Sequence, residues 1–267
     1  MRGLFMKKTD LFLRIPENAV FWLLLLFLTA GSAVSLYGKA ADRTGTVSSG
    51  RILSPVSVVS SQAAASALSP IASVPDAGPY AALTFDLLSA GKTSVPVLQA
   101  LEKSGTKATF FVSSDWVASH PEETAAIAGQ GHELGITVSP SFSGRDISRS
   151  QIRAGLEELE QELIRITGRS PSCFRPQSGD NDDPAADEAF AMGYTIIGSS
   201  CDSQDWKDYG SDAIVRRILK DCAPDNGCIL RFRGDARYTA DALPEIIQGL
   251  TALGLSPVTV SSLFPVS

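Results

Sequence analysis

Tyr80-Ala-Ala-Leu-Thr-Phe-Asp-Leu-Leu88 is an apolar run that ends in a carboxylate. Ala81, Leu83 and Phe85 alternate with Ala82 and Thr84, the pattern of a buried strand that delivers Asp86 from its C-terminal end. In α/β sheets and barrels the strand C-termini are where chemistry is done. The competing reading makes Asp86 the N-cap of a helix beginning near Lys92. The segments that follow favour the strand.

Residues 95–105 have helical spacing and a Gly stop. Lys107-Ala-Thr-Phe-Phe-Val112 reads as a second buried strand, 120–131 as a short helix and 132–138 as a third strand. The clearest helix spans 148–167, with Ser148 as cap and Ile152, Leu156, Leu159, Leu163 and Ile166 as one apolar stripe. A strand end at Cys173-Phe-Arg-Pro176 and a helix over 184–192 come next. Residues 194–201 read as one strand running into Asp202-Ser-Gln-Asp-Trp206. Helix 211–222, strand 228–233, helix 239–253 and strand 256–260 complete the chain. Such alternation predicts a parallel α/β barrel or an open parallel sheet.

The 267 residues carry a net charge of −6, which gives a nucleic-acid partner no electrostatic support. No phosphate-binding glycine loop, heptad or internal repeat is present. The four cysteines, Cys173, Cys201, Cys222 and Cys228, fit no close-spaced zinc pattern, and there are only two histidines, His120 and His132. Residues 18–38 lack charge, and Arg2, Lys7, Lys8 and Arg14 precede them. That predicts a membrane anchor at 19–38, with residues 1–18 cytoplasmic and the body extracytoplasmic. Gly38-Lys-Ala40 leaves a cleaved signal peptide open, with the same compartment as the outcome. Residues 39–78, rich in Ser, Ala and Pro, read as a tether, and 79–267 as the globular head.

Several words of the head resemble the polysaccharide deacetylases, the NodB-homology domains of carbohydrate esterase family four. They are Lys107-Ala-Thr-Phe-Phe-Val112, Gly131-His-Glu-Leu-Gly135, Gly168-Arg-Ser-Pro-Ser-Cys-Phe-Arg-Pro176, Asp202-Ser-Gln-Asp-Trp206 and Thr239-Ala-Asp-Ala-Leu-Pro244, and the likeness covers residues 79–264. The resemblance implies a distorted parallel (β/α) barrel and a partner among N-acetylated glycans or cell-wall polymers. It also implies a metal-activated water, because a bound cation lowers the pKa of water from 15.7 towards ~7. The family motif Thr-Phe-Asp-Asp-Gly stands here as Thr84-Phe-Asp-Leu-Leu88, which keeps the base at Asp86 and puts Leu87 at a metal-ligand position. The two histidine ligands correspond to Thr137 and Ser141, neither a good ligand for such an ion. The general acid of the Leu-x-His word corresponds to Arg233 in Arg231-Phe-Arg233. These departures from the family pattern imply no metal cofactor and no hydrolysis here. The alternatives are an active deacetylase with an unusual metal site drawn from Asp86, Asp180, Asp182, Asp183 or His132, and a structural envelope interaction protein.

Retained family positions are Asp86, Arg175 (the residue that orients the base) and Asp205 (the partner of the acid). The resemblance leads to an expected Asp86–Arg175 pair and an Asp205–Arg233 ion pair. Arg231 and Arg233 share one side of their strand and, with Arg175, would receive an anionic group. Pro176 joins Arg231, Arg233 and Trp206 among the substrate-contacting positions, Trp206 as a ring for sugar stacking or as an ordinary half-buried Trp. Asp180-Asn-Asp-Asp183 reads as a solvated loop capping the next helix, with Ca²⁺ binding or replacement of the lost ligands as the alternative. His132 reads as a hydrogen-bonded structural histidine and His120 as a helix-surface residue. Cys222 and Cys228 are close enough in sequence for a small disulfide, and free thiols remain open.

Overall fold

The computed structural model of the chain describes residues 69–139, 147–177 and 183–264. Strands and helices alternate in the order β1 (Tyr80–Leu87), α1 (Val95–Lys103), β2 (Thr109–Val112), α2 (Ser114–Ser119), α3 (Pro121–Gly129), β3 (Glu133–Thr137), α4 (Arg149–Thr167), β4 (Cys173–Arg175), α5 (Pro184–Ala191), β5 (Thr195–Ile196), β6 (Cys201–Asp202), α6 (Ser211–Arg216), β7 (Cys228–Arg233), α7 (Thr239–Ala252) and β8 (Ser256–Val258). All the strand pairings are parallel, in the order β5-β4-β3-β2-β1-β7-β6, and β8 lies beside the start of β1. The two edge strands, β5 and β6, are separated in sequence only by residues 197–200. So short a link draws the edges towards each other, and the sheet curls into a parallel half-barrel, the coarser form of the distorted barrel that the resemblance implies.

The curl sorts side chains by parity. Ala81, Leu83, Phe85 and Leu87 face outward with Phe110, Val112, Leu230 and Phe232, under the apolar sides of the helices. Phe85 stacks between Phe110 and Phe232, at ring separations of 5.1 and 5.3 Å. The enclosed face carries a smaller cluster of Ala82, Phe111, Cys173, Ile197 and Ile229, with Val260 and Leu263. Space there is tight: a Cβ on Gly135 would lie 2.6 Å from the Phe111 ring and 2.7 Å from Cys173 Sγ. Helix α4 begins with a capping box between Ser148 and Gln151 and ends at Gly168, φ 71°.

Several expectations are corrected. The head starts before Pro79: Ile71 pairs with Ile197, Ser73 with Cys228, and Val74 and Ala77 pack on the enclosed cluster. These apolar residues cover a floor that would otherwise face water, and a Cβ on Gly227 would fall 1.8 Å from the Val74 carbonyl oxygen. The expected anchor and the tether up to residue 68 lie outside the described residues. Among the described residues no helix is long and apolar enough to cross a membrane. The single strand expected over 194–201 is two strands, because its halves pair at opposite edges of the sheet. Helix α2 was not expected, and α6 runs into a π-helical turn at Arg217–Asp221.

That turn brings Cys222 over β6, where it is bridged to Cys201 with Cα atoms 5.8 Å apart. The Cys222–Cys228 bridge, which the sequence left open beside free thiols, does not form. Cys228 is buried at the start of β7, and Cys173 is likewise a free buried thiol.

Candidate functional site

The enclosed face changes character along the strands. From floor to mouth, β1 presents Ala82, Thr84 and Asp86, β7 presents Ile229, Arg231 and Arg233, and β4 presents Cys173 and Arg175. Register aligns Thr84 with Arg231 and Asp86 with Arg233. Period two thus gathers one carboxylate and three guanidiniums at the strand C-termini, above an apolar floor.

Asp86 is wholly buried and both its oxygens are engaged. Oδ1 accepts from Arg175 Nη1 at 3.0 Å, and Oδ2 accepts from Arg231 Nε at 2.7 Å, with Nη2 of the same guanidinium 2.6 Å away in the ion pair. Arg175, 1% exposed, also donates to Thr84 Oγ1 at 2.8 Å and to the Gly198 carbonyl at 2.9 Å, with its guanidinium 4.0 Å from the centre of the Phe111 ring. Burial lowers the Arg175 pKa and Asp86 opposes that effect. The Asp86–Arg175 pair is present as expected. The expected anion receptor is not: Arg175 and Arg231 are both committed to Asp86, because the carboxylate would otherwise sit uncompensated in the barrel.

The Asp205–Arg233 ion pair does not form. Only the backbone N–H of Arg233 reaches Asp205 Oδ2, at 2.9 Å, beside Thr239 Oγ1 at 2.6 Å. The Arg233 guanidinium turns to Asp235 instead, with Nε 3.7 Å from Oδ1. Asp205 Oδ1 and Arg233 Nε are buried without hydrogen bonds. Burial pushes the Asp205 carboxyl pKa up, against the pull of Thr239, Arg233 N–H and Ser203.

Asp205 and Arg233 line a cleft of about 210 Å³ with Gln177, Asp202, Trp206 and Arg231. Trp206 is 59% exposed at its rim, with the Lys207 ammonium 5.2 Å from the ring centre. Pro176 is buried and does not line this cleft. Gln177, Thr84 and Thr239 are site residues that the sequence reading did not assign. Thr84 was within reach of it, being two residues before Asp86 and therefore on the same face.

Thr137 is buried, donating to the Arg175 carbonyl and accepting from Gln177 Nε2, each at 2.7 Å. Leu87 points into the helix-facing core. Ser141, Asp180 and Asp182 lie outside the described residues, and Asp183 caps α5 through Ala185 N–H at 2.9 Å. His132 is structural: its Nδ1 accepts the Ala108 N–H at 3.2 Å, and burial, with Lys107 nearby, lowers its pKa to about 4. His120 sits between α2 and α3, stacked on Trp116 at 4.9 Å, not simply on a helix surface.

These residues do not fit a catalytic divalent cation. Both Asp86 oxygens are held by guanidinium donors, whose two fixed positive charges would repel an arriving ion. Among the described residues no group of three or more His, Cys, Asp or Glu could hold one.

Residues 73–197 match the polysaccharide deacetylase family model. Over 196 residues the chain is 28% identical to a peptidoglycan-N-acetylglucosamine deacetylase of Bacillus cereus, covering 71% of each protein. It is 31% identical over 185 residues to the peptidoglycan-N-acetylmuramic acid deacetylase PdaC of Bacillus subtilis, covering 68% of this chain but 38% of that one. The chain thus spans well under half of the second relative's length. In fold it is similar to a carbohydrate esterase family four pseudoenzyme of Bacillus anthracis, with a TM-score of 0.66 at 23% identity over 73% of this chain and 69% of that chain.

Proposed function

Because the chain belongs to the polysaccharide deacetylase family, we propose that its head binds an N-acetylated cell-wall glycan without hydrolysing it, as a membrane-tethered extracytoplasmic module. The observation that carries this reading is the double clasp on Asp86. The residue at the position of the family's base has each oxygen engaged by an arginine, at 3.0 Å from Arg175 and 2.6–2.7 Å from Arg231. A water attacking an acetamide would find no free carboxylate oxygen there to take its proton. At the position of the general acid, Arg233 offers a guanidinium that does not release a proton at working pH. Loss of general acid–base help alone costs on the order of 10²–10⁴ in rate.

Binding has separate support. The exposed ring of Trp206 offers a flat apolar face at the rim of a polar cleft, which suits a sugar ring. The Cys201–Cys222 bridge suits an oxidising compartment, in keeping with an extracytoplasmic head behind the apolar 19–38 run.

A second reading, an active deacetylase with an unusual metal site, draws support from the names of the curated relatives at 28–31% identity. Its ligands would have to include Asp180 or Asp182. Metal analysis of the purified protein, with acetate release from N-acetylglucosamine oligomers, separates the two. The proposal expects neither metal nor acetate; stoichiometric metal with turnover would overturn it. Sedimentation with purified peptidoglycan tests the binding half, and failure to co-sediment would refute it.

A further inference from the structure

We propose that Asp205 and Arg233 together grip one sugar hydroxyl, so that recognition depends on a hydroxyl of the glycan and not on its acetamide. This rests on the glycan-binding reading and names the group that the cleft selects. Asp205 is 1% exposed, and its two oxygens differ sharply. Oδ2 accepts two hydrogen bonds, from Arg233 N–H and Thr239 Oγ1, while Oδ1 accepts none. Arg233 Nε–H is also buried without an acceptor, its 3.7 Å approach to Asp235 being too long for a hydrogen bond. The two residues that carry this unpaired acceptor and this unpaired donor both line the cleft of about 210 Å³.

The chemistry that completes such a pair in one atom is a hydroxyl, which donates to Asp205 Oδ1 while accepting from Arg233 Nε–H. A secondary amide is less suited, because its trans geometry places N–H and C=O on opposite sides of the bond. The raised pKa of Asp205 fits a carboxylate that lacks donors and would gain from one. Arg175 does not line this cleft, and Arg231, which does, is held by Asp86.

The test is calorimetric titration of the intact protein with chitotetraose and with cellotetraose, which replaces each acetamide by a hydroxyl. The expected dissociation constants agree within about threefold. Asp205→Asn and Arg233→Met each weaken both ligands by about 10-fold or more, the loss typical of a hydrogen bond to a charged group. In a panel of mono-deoxy cellotetraoses, one compound loses ~10-fold against the native protein and nothing further against Asp205→Asn. That coupling would not arise from a merely structural role, and the panel on the native protein stands even if Arg233→Met fails to fold. Cellotetraose binding at least ~10-fold weaker than chitotetraose, with both variants binding normally, would overturn the hydroxyl assignment and leave the glycan reading standing. Absence of binding to either tetramer and to peptidoglycan would refute the glycan reading itself and this inference with it.

Discussion

Replacing Arg175 by Met removes the buried cation while roughly keeping its length. Three acceptors lose a donor: Asp86 Oδ1 at 3.0 Å, Thr84 Oγ1 at 2.8 Å and the Gly198 carbonyl at 2.9 Å. Asp86 keeps Arg231, so the carboxylate is not stripped bare. An unsatisfied buried neutral acceptor costs about 1–3 kcal/mol. Breaking a buried ion pair from one side costs about 3–5 kcal/mol in total. Two neutral acceptors are orphaned, so the first estimate totals about 2–6 kcal/mol, and the two estimates overlap near ~4 kcal/mol, a large part of a domain stability of about 5–15 kcal/mol. Arg231→Met should cost less, because the Arg231 side chain is 20% exposed and water can reach the vacated oxygen. Urea denaturation read by tryptophan fluorescence would show the Arg175→Met midpoint lowered by about 2 M, at the slope expected for a domain of this size. A loss below ~1 kcal/mol for Arg175→Met, or the reverse order of the two variants, would refute the claim that Arg175 is the essential partner of Asp86.

Three further outcomes are expected. Asp205 has a raised pKa in the fold, so its ionisation opposes folding; its contribution is most favourable at low pH and is lost as pH rises through the folded pKa. Asp205→Asn should therefore be at least as stable as the native protein at pH 7 and lose that advantage on acidification, as read by urea midpoints; a less stable variant at pH 7 would contradict this. His132 has the opposite sign: its folded pKa of about 4 lies below the ordinary 6.5, so stability present above pH 6.5 falls away as pH drops towards 4, by at most about 3 kcal/mol. His132→Gln should flatten that part of the native stability–pH curve, and an unchanged slope would count against it. The Cys201–Cys222 bridge closes a 21-residue separation, so reduction should destabilise by ~3 kcal/mol, with no effect of reductant on the Cys201→Ser/Cys222→Ser variant.

The strands that build the barrel were legible because period-two alternation and apolar runs are local signals, and β1, β2 and α4 lie where they point. Asp86 and Arg175 were placed by the family words that contain them. The clasp by Arg231 was not legible, although it follows from register: β7 pairs with β1 so that Arg231 lies beside Thr84, within reach of Asp86. Arg233 fails as a partner for Asp205 for a related reason. Motif position fixes where a side chain starts, but Asp235, two residues on, decides where this guanidinium ends. The cysteine pairing was hidden because proximity in sequence favoured Cys222 and Cys228, whereas the π-helical turn and β6 bring Cys222 to Cys201. The segment 69–78 looked like tether because its Ser, Ala, Val and Pro carry no sustained periodicity, yet Ile71, Val74 and Ala77 pack on the enclosed cluster.

The bond from Arg175 to the Gly198 carbonyl has a mechanical meaning. Gly198 belongs to the short link between β5 and β6, the place where the curled sheet meets itself without a ladder of its own. One guanidinium is therefore both the clasp on Asp86 and a stitch across that join. Anything that draws Arg175 away would slacken the closure of the barrel in the same movement.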